Sequence, residues 1–336
     1  MKRLGVLAAS RLLWLVPTLC GLVLLTFAIA HVIPADPAGL VAGDTATPEQ
    51  VAKIRHNLGL DRPLGDQLAA YVAELVRGDL GTSLFTNRPI AEDLLNRLPA
   101  TLELTGYAML IAVLGGVPLG VVAGYRHGTV LDHLIRVGTV AGFAIASFWL
   151  ALMLQLLFAM QLRWLPLAGR GGSGALVGPT GLRTVDTLLC GDLAGCVDAL
   201  AHLALPALAL ALPIMATLVR FARAGMLDVL GGPSFAYQRA MGLPVRISLW
   251  RYALRHALVA VVTQAGLSFG VMLAGSVVIE TIFDWPGVGN YAYESITHSD
   301  YPAVMGFVLW SGVAFIVIKF VIDVLLTLID PRERAR

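Results

Sequence analysis

The sequence predicts an all-α integral membrane protein with six transmembrane helices and a folded cap outside the cytoplasm. Composition is the first observation behind this prediction. Of 336 residues, 57% are hydrophobic and 14% charged, against roughly 25% charged in a soluble domain, and the mean hydropathy is +0.77. The second is periodic: apolar runs long enough to cross ~30 Å of hydrocarbon occur at 12–33, 102–124, 136–160, 202–222, 258–279 and 303–328. The third is where the cations sit. Lys2, Arg3 and Arg11, then Arg126 and Arg136, the 223–257 segment, and Arg332, Arg334 and Arg336 flank one set of span ends, whereas 280–302 has no lysine or arginine. Cationic loops stay inside, so both termini are expected in the cytoplasm, in keeping with an even number of spans.

The first run, Leu12–Ala30, ends in a small-residue pattern, Ala28-Ile29-Ala30, that resembles a cleavage site. A signal-peptide core runs to about 7–15 residues, shorter than this stretch. An uncleaved first helix is therefore expected. In 34–98, Thr47-Pro48-Glu49-Gln50 has the form of an N-cap, an N1 proline and a capping box, opening a helix that should stop near Gly59. A second helix would place Leu68, Tyr71, Val72 and Leu75 on one face and stop near Gly78. Those apolar faces need cover, hence a packed cap. Glu103, at the outer end of the second span, is expected at the membrane interface.

Residues 163–200 begin rich in glycine (Gly169, Gly171, Gly172, Gly174) and become weakly helical, with Cys190 and Cys196 six positions apart. The compartment outside the cytoplasm permits a disulfide. In a continuous helix the two Cα atoms would lie about 9 Å apart, beyond disulfide reach, so a bridge needs a break at Gly191 or Gly195. In the last span, Lys319 and Asp323 stand four residues apart. Charges inside a membrane must pair or face a cavity, so a mutual ion pair or a place beside a translocation path is expected.

Between spans four and five, 223–257 reads as a short helix ending at Gly242, a turn at Leu243-Pro244, and a basic amphipathic helix. Phe235, Tyr237 and Met241 are expected to be available to a partner. Two uses fit these residues: docking on another protein, or lying on anionic lipid with Arg246, Arg251 and Arg255 toward phosphates.

Arg239-Ala240-Met241-Gly242-Leu243, followed by Tyr252-Ala253-Leu254-Arg255-His256-Ala257, resembles the coupling motif of permeases from ABC importers. Further stretches resemble one branch, the first permease subunit of dipeptide, oligopeptide and nickel importers. These are Arg11-Leu12-Leu13 with Pro17-Thr18, Asp36-Pro37, Leu58 to Leu64, Gly78 to Ser83, Leu98 to Leu104, Glu280 to Gly289, Asp300-Tyr301-Pro302 and Asp330-Pro331-Arg332. The likeness runs in order along almost the whole chain. Ser234, Ala236, Gln238 and Met241 depart from it, since members usually carry tyrosine, arginine, alanine and lysine there.

The resemblance implies a type I ABC-importer permease fold, a five-helix core with the first helix packed outside it. It implies ATPase coupling through Arg239, Ala240, Gly242, Leu243 and Arg255. Gate or translocation candidates are Glu280, Phe283, Pro286, Gly287, Gly289 and Asp323; the alternative for Glu280 is a carboxylate reaching the interface. The implied partners are a paralogous second permease, two ATP-binding subunits and an extracytoplasmic solute-binding protein, in the inner (cytoplasmic) membrane of a bacterium. The chain then divides into an N-terminus and first helix (1–33), a cap region (34–98), a transmembrane core (99–329) and a tail (330–336).

No lysine follows a glycine at phosphate-cradling spacing, so ATP and magnesium are expected on the partner subunits and no cofactor on this chain. His202 and His256 have no second histidine or cysteine at ligand spacing, which speaks against a metal site. A net charge of +2 gives no reason to expect nucleic acid. Peptides are the expected cargo, with nickel chelates or glutathione as alternatives within the family. A channel or secondary transporter would need polar residues spread along several spans, and an intramembrane hydrolase a buried catalytic set.

Overall fold

The structure is a computed structural model that describes residues 17–28, 47–57, 61–172 and 178–329, the side chains of 54, 319 and 322–329 excepted. It is helical almost throughout. In chain order the helices are α1 (Pro17–Ala28), α2 (Pro48–Asn57), α3 (Leu64–Val76), α4 (Ile90–Tyr125), α5 (Val130–Ala144) and α6 (Ser147–Leu154). A π-helical turn, Gln155–Gln161, extends α6. Then follow α7 (Arg183–Leu189), α8 (Leu193–Leu230), α9 (Pro233–Ala240), α10 (Val245–Ile282), α11 (Val288–Thr297) and α12 (Tyr301–Ile329).

Four of these, α4, α8, α10 and α12, are long and apolar enough to cross a membrane. They overrun the expected spans because helix-favouring sequence continues past the apolar stretch. α4 starts at Ile90 rather than near 102, with Glu92 and Asp93 in its first turn, where carboxylates favour the helix dipole. α10 runs unbroken from Val245, with π-helical geometry at Ser248–Ala253. Of the first expected span only α1 lies among the described residues. The third is not one straight helix: α5 and α6 meet at 99°, because Ile145 (ψ 123°) and Ala146 (ψ 133°) are both extended.

Two compact units partition the chain. One comprises residues up to Leu98 together with Tyr291–Val317. In it the capping box of α2 forms: Thr47 N–H donates to Gln50 Oε1 at 2.9 Å and Gln50 N–H to Thr47 Oγ1 at 3.4 Å. α3 ends at Val76, followed by Gly78 at φ +79°. Asp300 holds the next loop: its carboxylate accepts from Ser83 Oγ at 2.5 Å, from Phe85 N–H at 3.1 Å, and from Ala303 N–H at 3.2 Å in the first turn of α12. Phe85 stacks on His298 with centroids 3.8 Å apart, and Arg97 pairs with Glu294 at 3.1 Å. Burial, aided by the negative charges of Asp93 and Asp300, pushes the Tyr291 hydroxyl up to about 12.

The other unit comprises Pro99–Asn290 and Ile318–Arg336. Its centre is α8, packed against α4, α5 and α10. Glycines set the α4–α8 distance. A Cβ at Gly116 would lie 3.1 Å from Leu218 Cβ, one at Gly120 2.5 Å from Ala222 Cβ, and one at Gly124 2.7 Å from Met226 Cβ. Three residues four apart therefore form a groove that only glycine leaves open, the close approach by which membrane helices gain packing.

Candidate functional site

The segment joining α8 to α10 carries the first set of candidate residues. Gly231 and Gly232 end α8, and Pro233 at N1 starts α9. The helix stops at Ala240, and Gly242 takes φ +72°, a conformation that favours glycine. Pro244 then precedes the first turn of α10. Arg239, Ala240, Gly242 and Arg255 are exposed and Leu243 is partly so. Tyr237 and Met241 are 67% and 66% exposed. Phe235 corrects the expectation drawn from sequence: it is 8% exposed and belongs to the apolar core of its unit, so it anchors α9 rather than facing a partner. The result is a short exposed helix and turn, fastened from below by one aromatic ring.

Glu280 lies in the last turn of α10 and is fully buried, not extended toward an interface. Its carboxylate accepts hydrogen bonds from Thr101 Oγ1 (2.8 Å), Gly289 N–H (2.7 Å) and Asn290 N–H (3.1 Å). The last two belong to the first turn of α11, whose N–H groups have no partners within the helix. Thr101 Oγ1 accepts a third, from Val288 N–H at 2.9 Å. The loop between is locked from both sides. Phe283 and Trp285 are buried, and Trp285 Nε1 donates to Ala100 O at 2.8 Å. A Cβ at Gly287 would collide with Glu280 Oε2, and one at Gly289 would meet Val277 Cα at 2.6 Å. Pro286 is exposed. The structure thus brings Glu280, Phe283, Gly287 and Gly289 together, with the carboxylate occupied by its own loop.

Glu103 is likewise buried within the protein. Arg170 Nε donates to its Oε2 at 2.9 Å, with Nη2 of the same guanidinium on that oxygen, and Thr184 donates to Oε1 from both N–H and Oγ1 at 2.7 Å. Arg170 also reaches Gly181 O at 2.8 Å and lies 5.8 Å from the Trp285 ring centroid, within cation–π range. Gly169 N–H donates to Phe283 O at 2.7 Å. Gly169, Arg170, Gly181 and Thr184 thereby tie their stretches of chain to α4 and to the 283–290 loop.

The Cys190–Cys196 bridge is not formed; both thiols are free. The break foreseen at Gly191 does exist, at φ +74°. It leaves Cys190 exposed after α7, while Cys196, in the first turn of α8, directs its sulfur to Thr184 O at 3.8 Å. The side chains of Lys319 and Asp323 lie outside the described residues, as do Asp36, Pro37, Leu58, Gly59 and the 330–336 tail. Among the described residues no group of three histidine, cysteine or acidic side chains is placed to hold a metal ion.

One constellation escaped the sequence. Asp132, in the first turn of α5, is fully buried and receives Arg223 of α8 through both arms of the fork, Nε to Oδ1 at 2.7 Å and Nη2 to Oδ2 at 2.9 Å. Gly128 N–H adds 3.1 Å to Oδ2, and His127 Nδ1 lies 2.9 Å from Arg223 Nη2. The available signal was Thr129, an N-cap three residues before Asp132, with Arg220 and Arg223 at the end of a span.

Residues 116–335 match the family model described as binding-protein-dependent transport system inner membrane component, and residues 7–105 match the model for the N-terminal part of such membrane components. The dipeptide transport system permease protein of Alkalihalophilus pseudofirmus is 39% identical over 97% of this chain and 98% of its own length. The di/tripeptide transport system permease protein of Pseudomonas aeruginosa is 40% identical over 97% and 98%. A solved structure of the MetNI methionine ABC transporter, inward facing, has a TM-score of 0.51 at 15% identity and covers 70% of this chain and 96% of that one; this likeness is of fold alone. The chain is a member of the family of inner-membrane components of binding-protein-dependent transport systems.

Proposed function

We propose that this chain is one of two membrane-spanning permeases of an ATP-driven importer of di- and oligopeptides. The observation that carries the reading is the fastened knob between α8 and α10. A connector needs only a few residues, whereas here a short helix is pinned by Phe235 while Tyr237, Arg239, Ala240 and Met241 stand exposed. Such a shape suits docking in a groove of another protein. Peptide cargo is supported by the dipeptide permeases that match nearly end to end.

On this reading Arg239, Ala240, Gly242, Leu243 and Arg255 couple to two ATP-binding subunits, which hold ATP and magnesium, and this chain makes and breaks no bonds. Both termini and the knob lie in the cytoplasm; α2, α3, the 163–189 segment and the 283–290 loop lie outside, where a solute-binding protein delivers peptide. ATP binding favours one arrangement of the paired permeases and release favours the other, a population shift of a bistable bundle. Glu280, Phe283, Pro286, Gly287 and Gly289 then belong to a loop held rigid beside the outer opening, and Asp323 remains a candidate for the path.

Reconstitution of the complex with its co-encoded ATPases, second permease and binding protein tests this. Labelled di-alanine should accumulate in proteoliposomes only with ATP. Purification of the chain without two ATPases, or uptake driven by an ion gradient alone, would overturn it.

A further inference from the structure

The buried pair Asp132–Arg223 stands apart from the knob and from the 283–290 loop, and joins α5 to α8, the helix that leads into the knob. Arg223 is seven residues before Leu230, where α8 ends and the knob begins, about 10 Å along the axis at 1.5 Å per residue. A movement imposed on α9 therefore reaches Arg223 through two turns of one helix. There α8 is closely attached on three sides. Gly124 of α4 leaves no room against Met226 Cβ and Arg223 O, Gly225 sits on Ala257 of α10, and Asp132 of α5 takes the guanidinium.

The first two contacts are apolar and could slip by fractions of a turn. The third is a directional, two-pronged ionic contact with no solvent at the carboxylate. Separating it would leave a buried charge without its partner, so it fixes position as well as distance. The opposite face of α5 gives no comparable hold: Val130, Leu134, Val137 and Val140 are all exposed. Toward its far end, Gly142 lies in ordinary contact range of Ala216 of α8, 3.6 Å for a Cβ. Immediately beyond, Ile145 and Ala146 are extended and the chain turns through 99°. α5 is thus an arm of 15 residues, pinned to α8 by an ion pair at one end and ending at a backbone break, beyond which α6 sets off in a new direction.

We propose that Asp132 and Arg223 are positioning residues for transport. They make α4, α5 and α8 move as one block when the knob is displaced, so that the relative motion is delivered to the break at Ile145–Ala146. This rests on the importer reading given above. The pair does not touch the cargo; it sets where the first half of the broken span goes when the ATPases act.

The test uses the complete complex in proteoliposomes, measuring di-alanine uptake and phosphate release together. Asp132→Asn, which keeps shape and removes charge, should leave ATP hydrolysis within about twofold of wild type and lower uptake per ATP about tenfold, within the range by which single substitutions alter the coupling of distant sites. Asp132→Glu, which keeps the charge, should lose less of the uptake per ATP than Asp132→Asn. A merely structural role would lower uptake and hydrolysis in proportion, and either that outcome or unchanged uptake overturns the proposal. Should Asp132→Asn fail to accumulate, Gly142→Cys with Ala216→Cys, oxidised to a disulfide, gives a second test. Full uptake is expected, since α5 and α8 do not separate, and a loss restored by reductant overturns the block. Wild-type complex without ATP-driven uptake would instead strike the importer reading itself.

Discussion

Replacing Glu280 separates a carboxylate that holds a loop from one that faces a path. In Glu280→Ala the N–H groups of Gly289 and Asn290 lose their acceptor inside a fully buried pocket. Each buried donor so deprived costs about 1–3 kcal/mol, and the removed side-chain volume adds a cavity cost. Thr101 keeps its contact with Val288 N–H, but its own hydroxyl loses its acceptor as well. The expected loss of stability is about 3–5 kcal/mol. Glu280→Gln retains an oxygen for the two N–H groups and turns its amide toward Thr101, so about 1 kcal/mol, the charge-assisted part, should go. Unfolding of purified protein titrated with dodecyl sulfate measures both. Equal losses for alanine and glutamine, or a loss below about 1 kcal/mol for alanine, would refute the anchoring role. A glutamine variant that is stable but fails in transport would place the carboxylate on the path instead.

Gly242→Trp should accumulate in membranes at near wild-type level yet abolish peptide uptake: nothing lies within 4 Å of a Cβ there, although φ +72° adds roughly 1–2 kcal/mol of backbone strain. Wild-type uptake would disprove docking through this turn. Gly120→Leu should destabilise by 3 kcal/mol or more, beyond the usual ~1–3 of overpacking, because the first added carbon already sits 2.5 Å from Ala222 Cβ. Gly138→Ala, in open space, should be neutral or gain up to ~1 kcal/mol from helix propensity; thermal unfolding of the two variants side by side decides. Cys190 and Cys196 should both react with an alkylating reagent before any reductant is added, as free thiols do, and mass mapping that finds them linked would contradict the structure.

Local rules were legible in the sequence where one residue dictates its own backbone. The Thr47–Gln50 capping box, the stop at Gly78 and the turn at Gly242 all sit where their side chains require them, and the apolar runs fall inside α4, α8, α10 and α12. Hydropathy could not show that the third run is bent, because Ile145 and Ala146 carry neither a proline nor a glycine and are as apolar as their neighbours. Burial of charge was equally hidden. Glu103 acquires its partner 67 residues later and Asp132 its partner 91 residues later, so neither pairing is visible in the local sequence. Phe235 failed for a related reason: an exposed and an anchoring aromatic look alike until the helix beneath is placed. Within the candidate site, residue types and positions were readable; which of them are already occupied by the protein was not.

The bond between Ser83 and Asp300 spans 217 positions of chain, which sets an order on how the protein can be made. The unit containing it draws on residues up to Leu98 and on Tyr291–Val317, so its two parts leave the ribosome far apart in time. At about 5–20 residues per second the interval is roughly 10–40 s. Pro99–Asn290, the bulk of the other unit, is synthesised within that interval and can begin to pack before Asp300 exists. Through all of it the loop of Ser83 and Phe85 lacks the carboxylate that fixes it, exposed to proteases and to whatever else occupies its compartment. Truncation a few residues before Asp300 should therefore leave α4, α5, α8 and α10 assembled while the 78–90 loop stays open to cleavage.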